Sequence, residues 1–323
     1  MILIFIASLL SGVFITSLLM HRKSKDAFRG KHMIISGGSS GIGLELARLA
    51  AKDGAKVTII ARNEDRLKDA QHKVAVDTDH KFHYVSVDLS SSISSIQEKL
   101  RPALEEHGDV DILVNCAGSA VSRYIEETTE EMFHQMMDVN FFSAVNLTKA
   151  LLKSLENRCK ETGSASVVFT SSVAGLMGIF GYSAYSPSKF ALVGFAQTLK
   201  AEKEHLGLHV MVAFPPDTDT AGFANENLGK PEETVAISQM GGLHKPKAVA
   251  GGILNDISKK RICSSFGLDG QFICTAASGL WPAGSIWRLT SEVALIAPAR
   301  LLGAYLHWAF ARCASHARNT KES

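Results

Sequence analysis

Between residues 32 and 50 the chain passes from a short apolar stretch, His32-Met33-Ile34-Ile35, through Ser36-Gly37-Gly38-Ser39-Ser40-Gly41-Ile42-Gly43, into Leu44-Glu45-Leu46-Ala47-Arg48-Leu49-Ala50, where apolar residues recur at helical spacing. A buried strand, a glycine loop and a helix in that order leave few folds open. The free N–H groups at the start of such a helix point at whatever lies before them, and they suit a phosphate. Gly37 permits the tight turn, Gly41 lets the backbone approach a pyrophosphate, and Gly43 lets the helix pack close to the strand. Ser39, Ser40 and Ile42 belong to the same cradle.

Strand–helix alternation continues from residue 31 to about 258. It predicts an α/β fold, a Rossmann-like doubly wound parallel sheet with helices on both faces. The second strand, Val57-Thr58-Ile59-Ile60-Ala61, runs into Arg62-Asn63-Glu64-Asp65-Arg66. NAD-preferring sites place a carboxylate at this strand end, whereas an arginine accommodates a 2′-phosphate. With Ala61 where the acid would sit, and Arg62 and Arg66 following, the reading is NADPH rather than NADH, with Ser39 adding a hydroxyl contact. A third strand, Val85-Ser86-Val87-Asp88-Leu89, ends with an acid placed to meet an adenine amino group. Asp111-Ile112-Leu113-Val114-Asn115-Cys116-Ala117-Gly118 is a fourth strand entering a turn. Asn115 either satisfies helix-end backbone groups or touches the cofactor.

Further on, Tyr185 and Lys189 lie four apart, so a helix puts them on one face. A neighbouring ammonium favours the ionised phenol, so the expected tyrosine pKa is lowered toward neutrality, as a general acid for carbonyl reduction requires. Ser172 lies thirteen residues upstream, and Asn140 falls inside an intervening helical stretch.

Gly37, Gly41 and Gly43, Asn115-Cys116-Ala117-Gly118, Asn140, Ser172, Tyr185 and Lys189 together resemble the short-chain dehydrogenase/reductase family over residues 31 to about 258. The resemblance implies that Ser172 holds the substrate oxygen and Tyr185 delivers the proton. It also implies that Lys189 lowers the tyrosine pKa while binding the nicotinamide ribose, and that Asn140 anchors a water relay. Two departures stand out. Cys116 replaces a commoner asparagine, and Pro187 sits early in the catalytic helix, which therefore should begin near Ser183. After the sixth strand, His209 to Phe214, the family's usual Pro-Gly is Pro215-Pro216, followed by Asp217-Thr218-Asp219-Thr220-Ala221-Gly222-Phe223, Glu226-Asn227 and Lys230-Pro231-Glu232-Glu233-Thr234. That string is similar to the branch of the family that reduces long-chain sphingoid ketones in sphingolipid synthesis. The alternative is a membrane-anchored reductase of steroids or retinoids. The resemblance also implies a homodimer face on the helices flanking Asn140 and Tyr185, with the oligomeric state left open.

Met1 to Met20 carry no charge, and His21-Arg22-Lys23-Ser24-Lys25 follow. Twenty residues at ~1.5 Å each match a ~30 Å hydrocarbon core. The basic flank predicts a catalytic domain facing the cytosol. The lack of an N-terminal charge and of a clear small-residue cleavage site predicts an uncleaved anchor, and the resemblance implies the endoplasmic-reticulum membrane. Residues 1–20 are thus read as anchor, 21–30 as basic linker, 31–258 as reductase domain and 259–323 as an apolar tail. In the tail, Gly270 to Trp287 is uncharged and Val293 to Phe310 is broken at Pro298. These stretches either contact the bilayer as broken or interfacial helices or pack on the core. A net charge of +2 and the absence of a basic aromatic stripe give no case for nucleic acid. Five cysteines without a CxxC pair read as reduced thiols. No histidine cluster with metal-ligand spacing is evident, so no metal is expected, and His80 and His83 are placed on a surface loop.

Overall fold

Strands buried on both faces read as nearly unbroken apolar runs, because helices cover the sheet from either side. The strands are His32–Ser36 (β1), Lys56–Ala61 (β2), His83–Ser86 (β3), Ile112–Asn115 (β4), Ala165–Thr170 (β5), Leu208–Phe214 (β6) and Cys263–Ser265 (β7). Of these, β1, β4 and β5 are buried along their whole length, β2 and β6 along most of it, and the edge strands β3 and β7 are largely half-buried. The computed structural model describes residues 26–77, 82–279 and 286–322. It arranges the strands in the order β3-β2-β1-β4-β5-β6-β7, with every neighbouring pair parallel.

The helices are, in chain order, Gly41–Lys52 (α1), Glu64–Asp77 (α2), Ile93–His107 (α3), Glu130–Met136 (α4), Ser143–Thr162 (α5), Tyr185–Lys203 (α6), Ala221–Glu226 (α7), Glu232–Gly241 (α8), Pro246–Ser258 (α9), Gly267–Ala276 (α10) and Ile286–Glu322 (α11). Alternate strand residues point to opposite faces. Ile34, Leu113, Val167 and Val210 therefore meet Leu100 of α3, Leu151 of α5 and Leu192 of α6. Met33, Ile35, Val114 and Met211 meet Leu46 of α1, Leu67 of α2 and Ile253 of α9. Two cores result, one on each face. β1 has β2 on one side and β4 on the other, so strand order reverses there, and the crevice beyond the strand ends is where such sheets bind ligands.

Several boundaries differ from the sequence reading. The third strand stops at Ser86, leaving Asp88 in a turn where its carboxylate accepts from the Ser90 N–H and hydroxyl. The sheet does not end at residue 258, because β7 pairs with β6 beyond it. Three residues are too few to announce a strand by periodicity. Phe28, assigned to the linker, is buried in the core beside α1, with its N–H donating to Asp53. α6 starts at Tyr185 rather than Ser183, which still leaves Pro187 in the first turn, where a missing N–H costs no helical hydrogen bond. α11 runs through Pro298 without the expected break and packs against α8 and α10. Its stretch Glu292–Arg312 is long and apolar enough to cross a membrane by length and composition. The proposed anchor, Met1 to Met20, lies outside the described residues.

Candidate active site

A cleft of about 1070 Å³ opens along the carboxyl ends of the strands. At one end it is lined by Gly37, Ser39, Ser40, Gly41, Ile42 and Gly43. Ser40 stands before α1 in extended backbone without a side-chain cap, and the first turn of α1 carries no carboxylate, so nothing in the chain competes with an anion for its amides. Gly37 takes a φ of 69°, and a Cβ there would stand 2.9 Å from the Ala117 Cα. A Cβ on Gly43 would meet the Gly37 carbonyl oxygen at 2.3 Å, so its close approach is to the loop as well as to the strand. Gly41 does more than admit a ligand: a Cβ on it would meet the Thr220 methyl at 2.9 Å, and this contact docks the cradle against the loop after β6. Ser36, which the sequence reading left out, ties the two strand ends together, its hydroxyl accepting from the Cys116 and Ala117 N–H groups, each at 3.0 Å.

Arg62 and Arg66 line the cleft at the end of β2, and Asp88 and Leu89 line it beside them. Two hydrogen bonds from Ser90, assisted by the charge of Arg62, hold the Asp88 carboxyl below its usual range. This cradle fits a phosphorylated dinucleotide: space that no Cβ can occupy, uncapped helix amides and cations at the second strand. Asn115 is a correction. It is buried away from the cleft, donating to the Thr148 hydroxyl at 3.1 Å, and so belongs to the packing of α5 against β4.

At the other end of the cleft Ser172, Tyr185 and Lys189 come together. Ser172 sits in extended backbone just after β5 and accepts from the Ala174 N–H at 3.2 Å, which fixes the direction of its hydroxyl. Lys189 is buried, donates to the Thr170 carbonyl at 3.0 Å, and lies 5.6 Å from the centre of the Tyr185 ring. Burial pulls the lysine pKa down to about 8. The Tyr185 phenol goes the opposite way from expectation. Burial holds its pKa above the usual value, hydrogen bonding with Ser172 opposes this, and the charges of Glu226 and Asp217 reinforce it. A sequence shows the Tyr–Lys spacing but not that both groups are dry.

Asn140 occupies a π-helical turn, Met137–Phe142, between α4 and α5, a distortion frequent at functional sites. Its Oδ1 accepts from the Ser119 N–H at 3.0 Å, and its Nδ2 donates to the Ser119 carbonyl and to the Ser188 hydroxyl at 2.9 Å. A Cβ on Gly118 would meet both Asn140 Oδ1 at 2.8 Å and Lys189 Nζ at 3.2 Å. The asparagine side chain therefore clamps the loop after β4 to the catalytic helix.

The string 215–234, which by the resemblance covers the substrate, builds the cleft wall beside the tyrosines. Tyr182, one turn before Tyr185 and tilted against it at 5.3 Å, donates its hydroxyl to Glu226. Lys230 Nζ lies 2.5 Å from the same carboxylate. The Ser238 hydroxyl of α8 donates to Asp217, and Phe310 of α11 reaches the cleft wall. Elsewhere, His83 lies on the edge strand β3, not on a loop, and hydrogen-bonds Glu106 at 2.9 Å with His107 nearby.

The family described as "short chain dehydrogenase" matches residues 31–231. Among curated proteins, the chain is 41% identical over 260 residues to a 3-dehydrosphinganine reductase of Danio rerio, covering 80% of this chain and 77% of that protein. It is 39% identical over 270 residues to a 3-ketodihydrosphingosine reductase of Bos taurus, covering 83% and 80%. Among solved structures, a putative short chain dehydrogenase of Escherichia coli CFT073, complexed with NADPH, superposes with a TM-score of 0.65 at 26% identity, covering 74% of this chain and 97% of that one.

Proposed function

This chain belongs to the short chain dehydrogenase family and is an oxidoreductase, and we propose that it reduces 3-ketodihydrosphingosine to dihydrosphingosine with NADPH. The observation that carries the substrate is the similarity to reductases named for that ketone, which extends over most of the chain and through the 215–234 string. The preference for NADPH is supported by Arg62 and Arg66 on the cleft wall, where no carboxylate ends β2. A bilayer at the cleft mouth is supported by the exposed Leu228, Met240 and Leu243 in and beside α8 and Val293, Leu301 and Trp308 of α11. Location in the endoplasmic-reticulum membrane, with the domain facing the cytosol, belongs to the same reading.

Bound in the cradle, a nicotinamide dinucleotide supplies the hydride. Ser172 donates a hydrogen bond to the ketone oxygen, and Tyr185 gives its proton to that oxygen as negative charge develops there. Burial keeps the phenol protonated until then. Lys189, fixed by the Thr170 carbonyl, faces the tyrosine ring and stabilises the phenolate left behind. NADPH oxidation by the detergent-solubilised chain, offered 3-ketodihydrosphingosine, a ketosteroid and retinal, tests the substrate. Turnover of the steroid or retinal alone sinks it. Arg62→Ala should weaken NADPH roughly tenfold or more while leaving NADH nearly as before. Equal weakening of both would remove the 2′-phosphate argument.

A further inference from the structure

The reaction as described leaves one wall of the cleft without a task. Its substrate end holds two carboxylates, Glu226 and Asp217, whose charges reach the Tyr185 hydroxyl. Their surroundings differ. Glu226 is already answered by Lys230 at 2.5 Å and by the Tyr182 hydroxyl, and the lysine is closed in by the Phe223 and Tyr182 rings at 4.6 and 5.8 Å. Asp217 pairs with no cation among the described residues. It accepts the Ser238 hydroxyl at Oδ2, and its own carbonyl takes the His244 N–H at 2.9 Å, so both the side chain and the backbone are anchored. Lys230 pairs with Glu226, whereas Asp217 stands on the same wall with no cation bridged to it among the described residues. A carboxylate anchored on the cleft wall and bridged to no cation of the described chain offers its charge to a cationic ligand.

The ketone assigned above carries an amino group on the carbon adjoining the carbonyl. With its oxygen held between Ser172 and Tyr185, that ammonium is two bonds from the carbonyl carbon and so stays close to the phenol, on which the charge of Asp217 acts. We propose that Asp217 is a specificity-determining residue that receives the substrate ammonium, with Ser238 of α8 holding the carboxylate in place. The proposal rests on the sphingoid-ketone reading. It gives the Ser238–Asp217 hydrogen bond a task, since α8 holds the carboxylate in place on the cleft wall. An ammonium seated there also offsets part of the negative field that, after burial, keeps the proton on Tyr185.

The test compares initial rates on 3-ketodihydrosphingosine, its N-acetyl derivative and the same hydroxy-ketone lacking the amine, at saturating NADPH. The wild type should prefer the free amine. Asp217→Asn, which can still accept from Ser238, should lower the kcat/KM ratio of amino to amine-free ketone roughly 10- to 100-fold, mainly through KM. Asp217→Lys should invert the preference. An equal loss on both ketones, or a wild type indifferent to the amine, overturns the proposal. NADPH binding followed by fluorescence reports whether each variant is folded. If a variant is not, the wild-type comparison of free, acetylated and absent amine decides alone. Failure of the substrate reading looks different: the wild type then reduces none of the three sphingoid ketones while turning over a steroid or retinal, and the proposal falls with it.

Discussion

At the cofactor end of the cleft the contacts are made by backbone: Gly37 against Ala117, Gly43 against the Gly37 carbonyl, and the uncapped start of α1. At the substrate end they are made by side chains far apart in the chain. Tyr182 reaches Glu226, Tyr124 reaches Glu233 at 2.8 Å, and Arg123 reaches the Leu228 carbonyl at 2.6 Å. A backbone cradle leaves no room for substitution, but any ligand with a pyrophosphate suits it. A side-chain wall can be retuned one residue at a time, which is how one fold serves many substrates.

The contrast can be broken at four points. The largest effect belongs to the set that joins the two ends: Tyr185→Phe should cost roughly 10²- to 10⁴-fold in turnover with NADPH binding nearly intact. Steady-state rates alongside NADPH fluorescence check this, and loss of binding would mean the residue also builds the cradle. Next comes Glu226→Ala, which strands the buried Lys230 ammonium and should destabilise the fold by about 3–5 kcal/mol in denaturant titrations. A neutral result would mean that the wall is not a paired one. Gly43→Ala places a methyl 2.3 Å from a carbonyl oxygen that cannot step aside, and an overpacking cost of about 1–3 kcal/mol with weakened NADPH binding is expected. Unchanged affinity would show that the cradle yields after all.

The fourth test is a pH dependence. The folded chain binds the Lys189 proton more weakly than the unfolded chain, whose lysine keeps a pKa near 10.5. The unfolded state therefore carries more protons between about pH 8 and 10.5, and stability rises with pH across that window. Tyr185 opposes this above pH 10, where the unfolded phenol ionises and the buried one does not. Between pH 8 and 10 the slope of stability against pH should flatten in Lys189→Met. An unaltered slope would mean that Lys189 is solvated.

The chain announced its cofactor end, its sheet and the Ser172–Tyr185–Lys189 set because each is a local pattern. Turn glycines, apolar strands and a four-residue helical spacing are decided within a few residues of one another. Asn115 misled for the same reason: it stands in the right turn, and only packing reveals that its amide faces Thr148. The π-turn around Asn140, the three-residue strand β7 and the burial of Phe28 carry no periodic signal. Nor does the string 215–234 disclose that Glu226 pairs with Lys230 while Asp217 accepts from the Ser238 hydroxyl. The sequence by itself determined which chemical groups are present and which elements carry them. The tertiary structure alone decided their charge states and partners, since those depend on how much water is excluded around each group and which distant side chain fills the space, as with Lys189 near pH 8 and the still-protonated Tyr185 beside it.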